Sequence, residues 1–308
     1  MQNKFKYAIG LAVGTALISG TSNFLAKIAV TVVKDPVVFT FLKNIIVAAF
    51  LVGVIMLARK WKEVLALNKK DWIKLAAIGI IGGSIPFILF FTGLSMIPAI
   101  NAAFIHKTLF IWVAILAVPF LKERVGIWPA IAILALFGGN SILGFPHFTF
   151  GIGELMVLGA TLLWAVENII AKKALEKISS LVVAGARMLL GSVIIFAVVA
   201  FQGKLGMLGG FSGLQWFWII VPSVLLTGYI LTWYTALKYA PATVVASVLV
   251  LATFVTSLLQ AIFITHVLSI QQLAGGILSL IGSVLIISQV KKIIPEPKTT
   301  HYPLPTTN

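Results

Sequence analysis

Apolar segments of about twenty residues recur along nearly the whole sequence, and only short polar stretches separate them. A helix of about 20 apolar residues crosses the hydrocarbon core of a bilayer, whereas the strands of a membrane barrel alternate apolar and polar residues. The segments here are apolar throughout, so they predict helices. Only 10% of the residues are charged, against about 25% in an average soluble domain. The sequence therefore predicts an all-α integral membrane protein without a soluble domain.

The segments predict ten membrane-spanning helices. Basic residues lie between the apolar segments, so the net charge of +15 reads as a topology signal and not as a nucleic-acid surface. The sequence has no cysteine, which excludes disulfides and thiolate metal ligands. The predicted spans are 7–29, 37–58, 72–96, 98–120, 126–144, 152–175, 180–202, 215–238, 241–265 and 270–290.

The second half of the chain repeats the first. NFLAKIAV from Asn23 and NIIAKKAL from Asn168 share an Asn and an Ala-Lys-x-Ala pattern at a shift of 145 residues. Lys43 meets Arg187 at a shift of 144, and FTGLSMIPA meets YTALKYAPA at a shift of 143. A shift that drifts one residue at a time indicates a diverged duplication with small loop deletions. The signal-like start therefore predicts a retained first helix and not a cleaved leader.

Lysine and arginine residues lie almost entirely on one side of the predicted membrane, and the other side has only Lys34 and Lys204. Cytoplasmic loops carry such an excess, so both termini are predicted to be cytoplasmic. Five spans per repeat is an odd number, which inverts the second repeat relative to the first, as in many secondary transporters. The predicted units are a first repeat at 1–145, a second repeat at 151–290 and a flexible cytoplasmic tail at 291–308.

Several stretches carry a family resemblance. They are DPVVFTFLKN, LSMIPAINAAF with its echo LKYAPATVVAS, LKER after the fourth span, and GILSLIGSVLI. Together they resemble the drug/metabolite transporter superfamily, in its EamA-type branch of ten-helix carriers, over residues 7–290. The resemblance implies the fold and a transport function but no particular substrate, because members carry amino acids, nucleotide-like metabolites, sugars or drugs, many as exporters.

The sequence departs from the family pattern at a few positions. Lys43 stands where the family usually has Arg, and His266 stands where a Glu matching Glu123 is common. The prolines often seen midway along the fourth and ninth helices are replaced, with Phe110 and Thr253 at their positions. The helix ends and kinks at these places are therefore the least transferable part of the resemblance.

Titratable side chains inside apolar helices are candidates for function, because burying an ion in hydrocarbon costs about 2.5–3.5 kcal/mol on insertion scales. A rise of 1.5 Å per residue sets their predicted depths. They are Lys27 and Lys43 in the outer half, His106 and Lys107 near the midplane, and Glu167 and Arg187 in the inner half.

Polar and aromatic residues complete the predicted site. The two repeated asparagines are predicted to face the bundle interior, and four aromatic residues lie deep enough to wall a cavity: Trp112, Trp164, Trp233 and Tyr234. The predicted substrate-binding residues are Asn23, Lys27, Lys43, His106, Lys107, Trp164, Glu167, Asn168, Arg187, Trp233 and Tyr234.

Structural roles compete with substrate binding for several of these residues. Lys27 lies close enough to a helix end to reach the headgroups, and Lys172 is predicted to do so on the cytoplasmic side. Glu167 and Arg187 could instead form an ion pair that locks two helices, and His106 could be a satisfied core histidine. A mid-span lysine such as Lys107 requires a wet cavity or an acid.

Three functional classes follow from these features. The first is a secondary carrier that works by alternating access, as an exporter in many relatives of this kind; no G-x-x-x-x-G-K-[ST] motif is present, so energy would come from a gradient, from exchange or from neither. The second is a membrane-embedded enzyme, but H-E-x-x-H, G-x-S-x-G and paired intramembrane carboxylates are missing. The third, a non-transporting receptor or scaffold, leaves the inverted duplication unexplained.

The carrier interpretation predicts the substrate class and the partners. Lysines in the outer half without matching acids favour an anionic substrate such as an amino acid or organic anion, and aromatic walls favour an amphipathic one. The expected partners are this substrate, the lipid bilayer of the cell membrane and, as coupling ion, a proton carried by Glu167 or His106. No cofactor, metal or nucleic acid is expected, and monomer and homodimer both remain open.

Overall fold

The computed structural model describes residues 2–144 and 151–289, and every regular element in these two ranges is a helix. Nine helical segments in the described ranges are long and apolar enough to cross a membrane, and a tenth apolar helix at Ile127–Leu143 is shorter. Nine or ten crossings follow, in line with the ten predicted spans. The predicted tail at 291–308, and residues 145 and 290 at the ends of the predicted repeats, lie outside the described residues.

The helices follow the predicted spans closely. The first half contains α1 (Gln2–Val33), α2 (Pro36–Leu57), a short α3 (Trp61–Leu65), α4 (Lys69–Ile81), α5 (Ile85–Met96), α6 (Ala99–Lys107), α7 (Leu109–Leu121) and α8 (Ile127–Gly144). The second half contains α9 (Ile152–Ala174), α10 (Ser180–Phe201), α11 (Gly213–Tyr239), α12 (Ala242–Val248), α13 (Leu251–Gln260) and α14 (Ile270–Ser288).

Polar residues between the apolar segments start the helices. The Asp35 carboxylate accepts hydrogen bonds from the N–H groups of Val37 and Val38, both at 2.9 Å, and Pro36 takes the first helical position, where no N–H is needed. Ser212 with Gln215 starts α11 through a reciprocal capping box. Each cap satisfies backbone groups that would otherwise be left unpaired at a helix end.

The third predicted span is two helices and not one. The break lies at Gly82–Ser84, between α4 and α5. Pro86 has no N–H, so the carbonyl of Gly82, four residues earlier, cannot be bonded within the helix. That carbonyl instead accepts hydrogen bonds from Trp164 Nε1 and Arg187 Nη2, each at 2.9 Å. The break therefore turns a backbone acceptor toward the second half of the chain.

The fourth and ninth predicted spans are also interrupted, although neither has the family's mid-helix proline. The N–H of Thr108 bonds to Ile105 and that of Val250 to Ser247, which are the shorter i to i−3 bonds of a 3₁₀ turn. In the fourth span the Phe104 carbonyl accepts a hydrogen bond from Asn140 Nδ2 at 3.0 Å. Asn140 Oδ1 also accepts from the Thr253 hydroxyl at 2.8 Å. A polar side chain on α8 thus joins the two interrupted spans.

Corresponding helices of the two halves pack against each other in opposite directions. In the α2–α10 pair, Asp35 before α2 contacts Lys204 after α10 at 2.7 Å. At the other end, the carboxylate of Glu63, which follows α2, accepts from the N–H of Ser179 before α10 at 2.6 Å. These two contacts, at opposite ends of both helices, require an antiparallel pair.

The α5–α9 pair is antiparallel as well, and it packs closely through glycine. Gly93 near the end of α5 faces Gly153 at the start of α9, and a Cβ built on Gly93 would lie 2.6 Å from the Gly153 carbonyl oxygen. Gly82, before α5, faces Glu167 near the end of α9. Side chains larger than hydrogen at these places would push the two backbones apart.

The backbone corrects one alignment between the halves. Lys122 and His266 both adopt left-handed conformations, with φ of 58° and 54°, at the ends of the fourth and ninth spans. His266 therefore corresponds to Lys122, and Val267 takes the place of Glu123; the predicted match of His266 with Glu123 is one residue off. The Glu123 carboxylate accepts hydrogen bonds from the N–H groups of Ala242 and Thr243 at the start of α12, at 2.7 and 3.0 Å. Val267 has an apolar side chain and cannot accept such hydrogen bonds.

Candidate substrate cavity

A buried cavity lies where helices of the two halves meet. Its lining comes from α1, α2, α5, α6 and α7 of the first half and from α9, α10 and α11 of the second. The cavity volume is about 60 Å³, which is room for a few water molecules. Eight of the predicted site residues line it: Asn23, Lys43, His106, Trp164, Glu167, Asn168, Arg187 and Trp233.

Lys43 places a buried ammonium among aromatic rings. Its side chain is only 2% exposed, and Nζ lies 4.1 Å from the centre of the Phe91 ring and 4.6 Å from that of Phe87. Among the described residues no carboxylate forms an ion pair with it. Cation–π contacts stabilise an ammonium by about 0.5–2 kcal/mol, which does not balance the loss of hydration of a buried ion. The site therefore favours an anion beside Lys43.

Arg187 lies at the centre of a second polar group. Nη2 donates to the freed Gly82 carbonyl at 2.9 Å, and Nη1 donates to the Tyr234 hydroxyl at 3.2 Å. Tyr234 in turn donates to Glu167 Oε1 at 2.5 Å. The tyrosine hydroxyl thus stands between the arginine and the glutamate, which the sequence analysis had considered as a direct ion pair. Arg187 Nε is buried and has no hydrogen-bond partner among the described residues.

The two bases occupy equivalent places in the two halves and converge on one ring. Lys43 and Arg187 each lie on the second span of their half, and each faces an aromatic residue on the following span. Lys43 faces Phe91, and Arg187 Cζ lies 5.7 Å from the Tyr234 ring centre. Both also lie against Phe87, at 4.6 and 5.3 Å from its centre. The sequence predicts the two residues in opposite halves of the membrane, and in the structure their long side chains bring the two charged groups to the same ring.

The repeated asparagines are not equivalent in their contacts. Asn168 Oδ1 accepts from Trp233 Nε1 at 3.0 Å, and its Nδ2 donates to the Trp164 carbonyl at 2.8 Å. Asn23 lacks the first contact, because Phe90 stands where Trp233 stands in the second half and has no N–H to donate. Asn23 Nδ2 is buried without a hydrogen-bond partner among the described residues. It is therefore available to an acceptor inside the cavity.

His106 and Lys107 lie side by side in sequence but meet different surroundings. The His106 ring packs against Trp164 and Phe90, with centres 4.9 and 5.2 Å apart, and its buried Nδ1 has no partner in the described ranges. Lys107 does not line the cavity; its Nζ donates to the Ser19 hydroxyl at 2.7 Å. Ser19 lines the cavity, so the Lys107 ammonium is connected to the cavity through the Ser19 hydroxyl.

Lys27 and Lys172 share one structural role in the two halves. Lys27 Nζ donates to the carbonyls of Leu94 and Ile97, at 2.7 and 2.8 Å. Lys172 Nζ donates to the equivalent carbonyls of Leu237 and Ala240, at 2.6 and 2.8 Å. Each ammonium thus satisfies the last carbonyls of the third span of its half, where the helix dipole favours a cation. Lys27 lies outside the cavity lining, and the Lys172 ammonium, which is predicted to reach the headgroups, binds these carbonyls.

Eight cavity residues are not among the predicted ones, although the sequence carries a signal for some of them. Phe90 and Phe91 correspond to Trp233 and Tyr234, which had been selected, and Ser19 precedes Asn23 by one helical turn. Tyr229 stacks on Trp233 with ring centres 5.8 Å apart, one turn earlier on the same helix. The missed lining residues are Ser19, Ser22, Phe87, Phe90, Phe91, Leu109, Leu226 and Tyr229.

A bundle of apolar helices around a buried, charged cavity between two halves is the architecture of a membrane transporter. The chain belongs to the EamA-like transporter family, whose model matches residues 6–145 and again residues 151–288. It is a multi-pass membrane protein with two copies of this family unit.

Individual proteins agree with this assignment. An uncharacterised transporter of Synechocystis sp. is 28% identical over 236 residues, which are 71% of this chain and 66% of the relative. An uncharacterised transporter of Archaeoglobus fulgidus is 27% identical over 226 residues, which are 71% of this chain and 78% of the relative. The match thus spans just under two thirds of the Synechocystis protein's own length. A solved crystal structure has the same fold, with a TM-score of 0.72 and 15% identity over 91% of this chain and 99% of that chain.

Proposed function

We propose that the protein is a secondary transporter that moves a small amphipathic anion across the membrane by alternating access, as an exporter, and that it is not an enzyme. The observation that carries the substrate class is the convergence of Lys43 and Arg187 on Phe87. Two buried basic side chains lie against one ring, and among the described residues of the cavity lining the one acid is Glu167, which already accepts from Tyr234. A carboxylate bound between the two bases would neutralise this excess charge.

The alternating-access mechanism requires two halves that move relative to each other around the cavity. We propose that these are repeats at 1–145 and 151–290, inverted in the membrane, with both termini in the cytoplasm. The antiparallel α2–α10 and α5–α9 pairs support this arrangement. So does the equivalence of the Lys27 and Lys172 caps, which repeats one contact at two ends of the bundle.

The remaining cavity groups suit an amphipathic ligand. Asn23 Nδ2 offers a free donor, and the rings of Phe90, Trp164 and Trp233 offer apolar walls. With a volume of about 60 Å³, the cavity must widen before it holds a metabolite, which in this mechanism happens when one end of the bundle opens. Glu167 is the candidate proton carrier, because it is the carboxylate that reaches Arg187 through Tyr234.

Uptake and counterflow in proteoliposomes test the proposal. Aromatic and aliphatic amino acids, organic anions and cationic dyes would be compared as substrates. We expect an anionic amphipathic compound to be transported, and Lys43→Gln to reduce its transport at least about tenfold, since a lost charge-assisted contact is worth about 1.5–3 kcal/mol. Lys69→Gln, the same change on an exposed residue, is the matched control.

Two results would contradict the proposal. If cationic dyes were transported and anionic compounds were not, the proposed anionic substrate would be excluded. Equal transport activity of Lys43→Gln and Lys69→Gln would exclude a role of Lys43 in substrate binding. For the coupling ion, we expect Glu167→Gln to remove the stimulation of transport by a pH gradient. A gradient effect that survives this substitution would exclude Glu167 as the proton carrier.

A further inference from the structure

A second cavity, separate from the central one, lies at the ends of α7, α9 and α11. It has a volume of about 450 Å³. Its lining combines four lysines and two glutamates with exposed aromatic residues. The charged members are Lys122, Lys172, Lys173, Lys238, Glu123 and Glu176.

Three of these six charged side chains have partners inside the protein, and the other three carry a net positive charge. The Glu123 carboxylate binds backbone N–H groups of the chain at α12, Lys172 binds carbonyls, and Lys238 Nζ donates to the Ile178 carbonyl at 3.0 Å. Lys122 and Lys173 are exposed, and their side-chain ammonium groups make no hydrogen bond or ion pair with any described residue. Among the described residues of the lining, Glu176 is the one remaining acid against two lysines, so the pocket favours an anion.

The aromatic residues of the pocket indicate where that anion comes from. Phe120 is 55% exposed and Tyr239 is 39% exposed, at the ends of two membrane-spanning helices. Lys173 Nζ lies 5.6 Å from the Phe120 ring centre, and Lys4 Nζ lies 5.7 Å from that of Tyr239. Basic groups beside exposed aromatic rings at the end of a span are typical of the boundary between acyl chains and headgroups.

We propose that this pocket binds the phosphate of an anionic phospholipid headgroup, with Lys122 and Lys173 as the main contacts and the acyl chains along Phe120. The pocket joins the end of α7, from the first half, to the ends of α9 and α11, from the second. A bound headgroup therefore holds the two halves together at this end of the bundle. Free phosphate carries the same charged group but has no acyl chains to pack against the exposed rings of Phe120 and Tyr239.

Native mass spectrometry and thermal unfolding of the full-length protein in detergent test this site. The probes are phosphatidylglycerol, phosphatidylcholine and inorganic phosphate. The test variant is Lys122→Asn with Lys173→Gln, in which Asn tolerates the left-handed backbone at position 122. The matched control is Lys69→Gln with Lys70→Gln, which removes two exposed positive charges far from the pocket in sequence.

We expect phosphatidylglycerol to bind and stabilise the wild type and the control. The test variant should bind it roughly 25-fold more weakly, because each basic residue near an anionic headgroup changes the affinity about fivefold. Phosphatidylcholine should bind all three proteins weakly. If inorganic phosphate stabilised the wild type and phosphatidylglycerol did not, the lipid would be excluded as the source of the anion. Equal phosphatidylglycerol binding by the test and control variants would overturn the site itself.

Discussion

At the scale of single residues, the duplication preserved the positions of the paired asparagines but not their contacts. Asn23 and Asn168 occupy equivalent places, yet only Asn168 is held by a tryptophan N–H. The difference follows from one change on the neighbouring span, where the first half has Phe90 and the second has Trp233. The sequence alignment found the paired asparagines, but it could not assign one to the structure and the other to a free donor in the cavity.

This difference predicts unequal costs for the same substitution. Asn168→Leu removes the acceptor of the buried Trp233 N–H, and an unpaired buried donor costs about 1–3 kcal/mol. Asn23→Leu removes an amide whose Nδ2 has no partner in the described ranges, so it should leave stability nearly unchanged. Thermal unfolding of the two variants in detergent measures the difference. Equal losses in the two variants would contradict the contacts described here.

At the scale of helices, the Ala-Lys-x-Ala repeat has a structural explanation. The lysine of each copy reaches from the first span of its half to the last carbonyls of the third span, and small alanines beside it allow close packing. Sequence reasoning noted the pattern but could not find its target, because the carbonyls lie 67–70 residues further along the chain in the first half and 65–68 in the second.

We therefore expect Lys27→Met and Lys172→Met to destabilise the protein by similar amounts. Each removes charge-assisted hydrogen bonds worth about 1.5–3 kcal/mol and leaves helix-end carbonyls unpaired. Lys173→Met is the control, measured like the others in lipid-free detergent, since Lys173 follows Lys172 directly but is exposed and lies over Phe120. Thermal unfolding should rank Lys173→Met close to the wild type and the other two well below it. A loss for Lys172→Met alone would refute the equivalence of the two caps.

The ion pair between Asp35, before α2, and Lys204, after α10, predicts that the stability of the protein depends on pH. Burial raises the pKa of Asp35, but hydrogen bonds from Lys204 and from the N–H groups of Val37 and Val38, with the charge of Lys204, outweigh it and hold the pKa below the ordinary value of 3.8. A lowered pKa in the folded state means that the carboxylate stabilises the protein above the ordinary pKa and loses this effect as the pH falls through the lowered one.

Asp35→Asn keeps a helix-capping side chain but removes the charge. We expect its unfolding temperature to lie below that of the wild type by a constant margin above about pH 5, and the margin to shrink as the pH falls below the ordinary pKa of 3.8 toward the lowered one. Unfolding measured between pH 3 and pH 7 tests this. A margin that grows toward low pH would have the wrong sign for this interaction.

At the scale of the whole molecule, the proposed inverted topology makes a prediction that this chain can test directly. The sequence contains no cysteine, so a single introduced cysteine is the sole target of a thiol reagent. In intact cells, a membrane-impermeant maleimide should label Gln202→Cys, after α10, and should not label Lys62→Cys, in α3. Both positions are exposed, and both should react after the membrane is permeabilised. Labelling of Lys62→Cys in intact cells would reverse or exclude the proposed orientation.

The sequence by itself determined the class of the fold, the approximate limits of the apolar spans, and the family. Apolar length and repeat pattern are local properties, and each helix in a membrane must satisfy its own backbone hydrogen bonds. Only the tertiary structure decided which polar groups meet. It joined Lys43 and Arg187 at Phe87, moved Lys27 out of the cavity, and turned the Gly82 carbonyl toward Arg187. These outcomes depend on how each helix is rotated, tilted and interrupted against its neighbours, and that is set by packing between segments far apart in the chain.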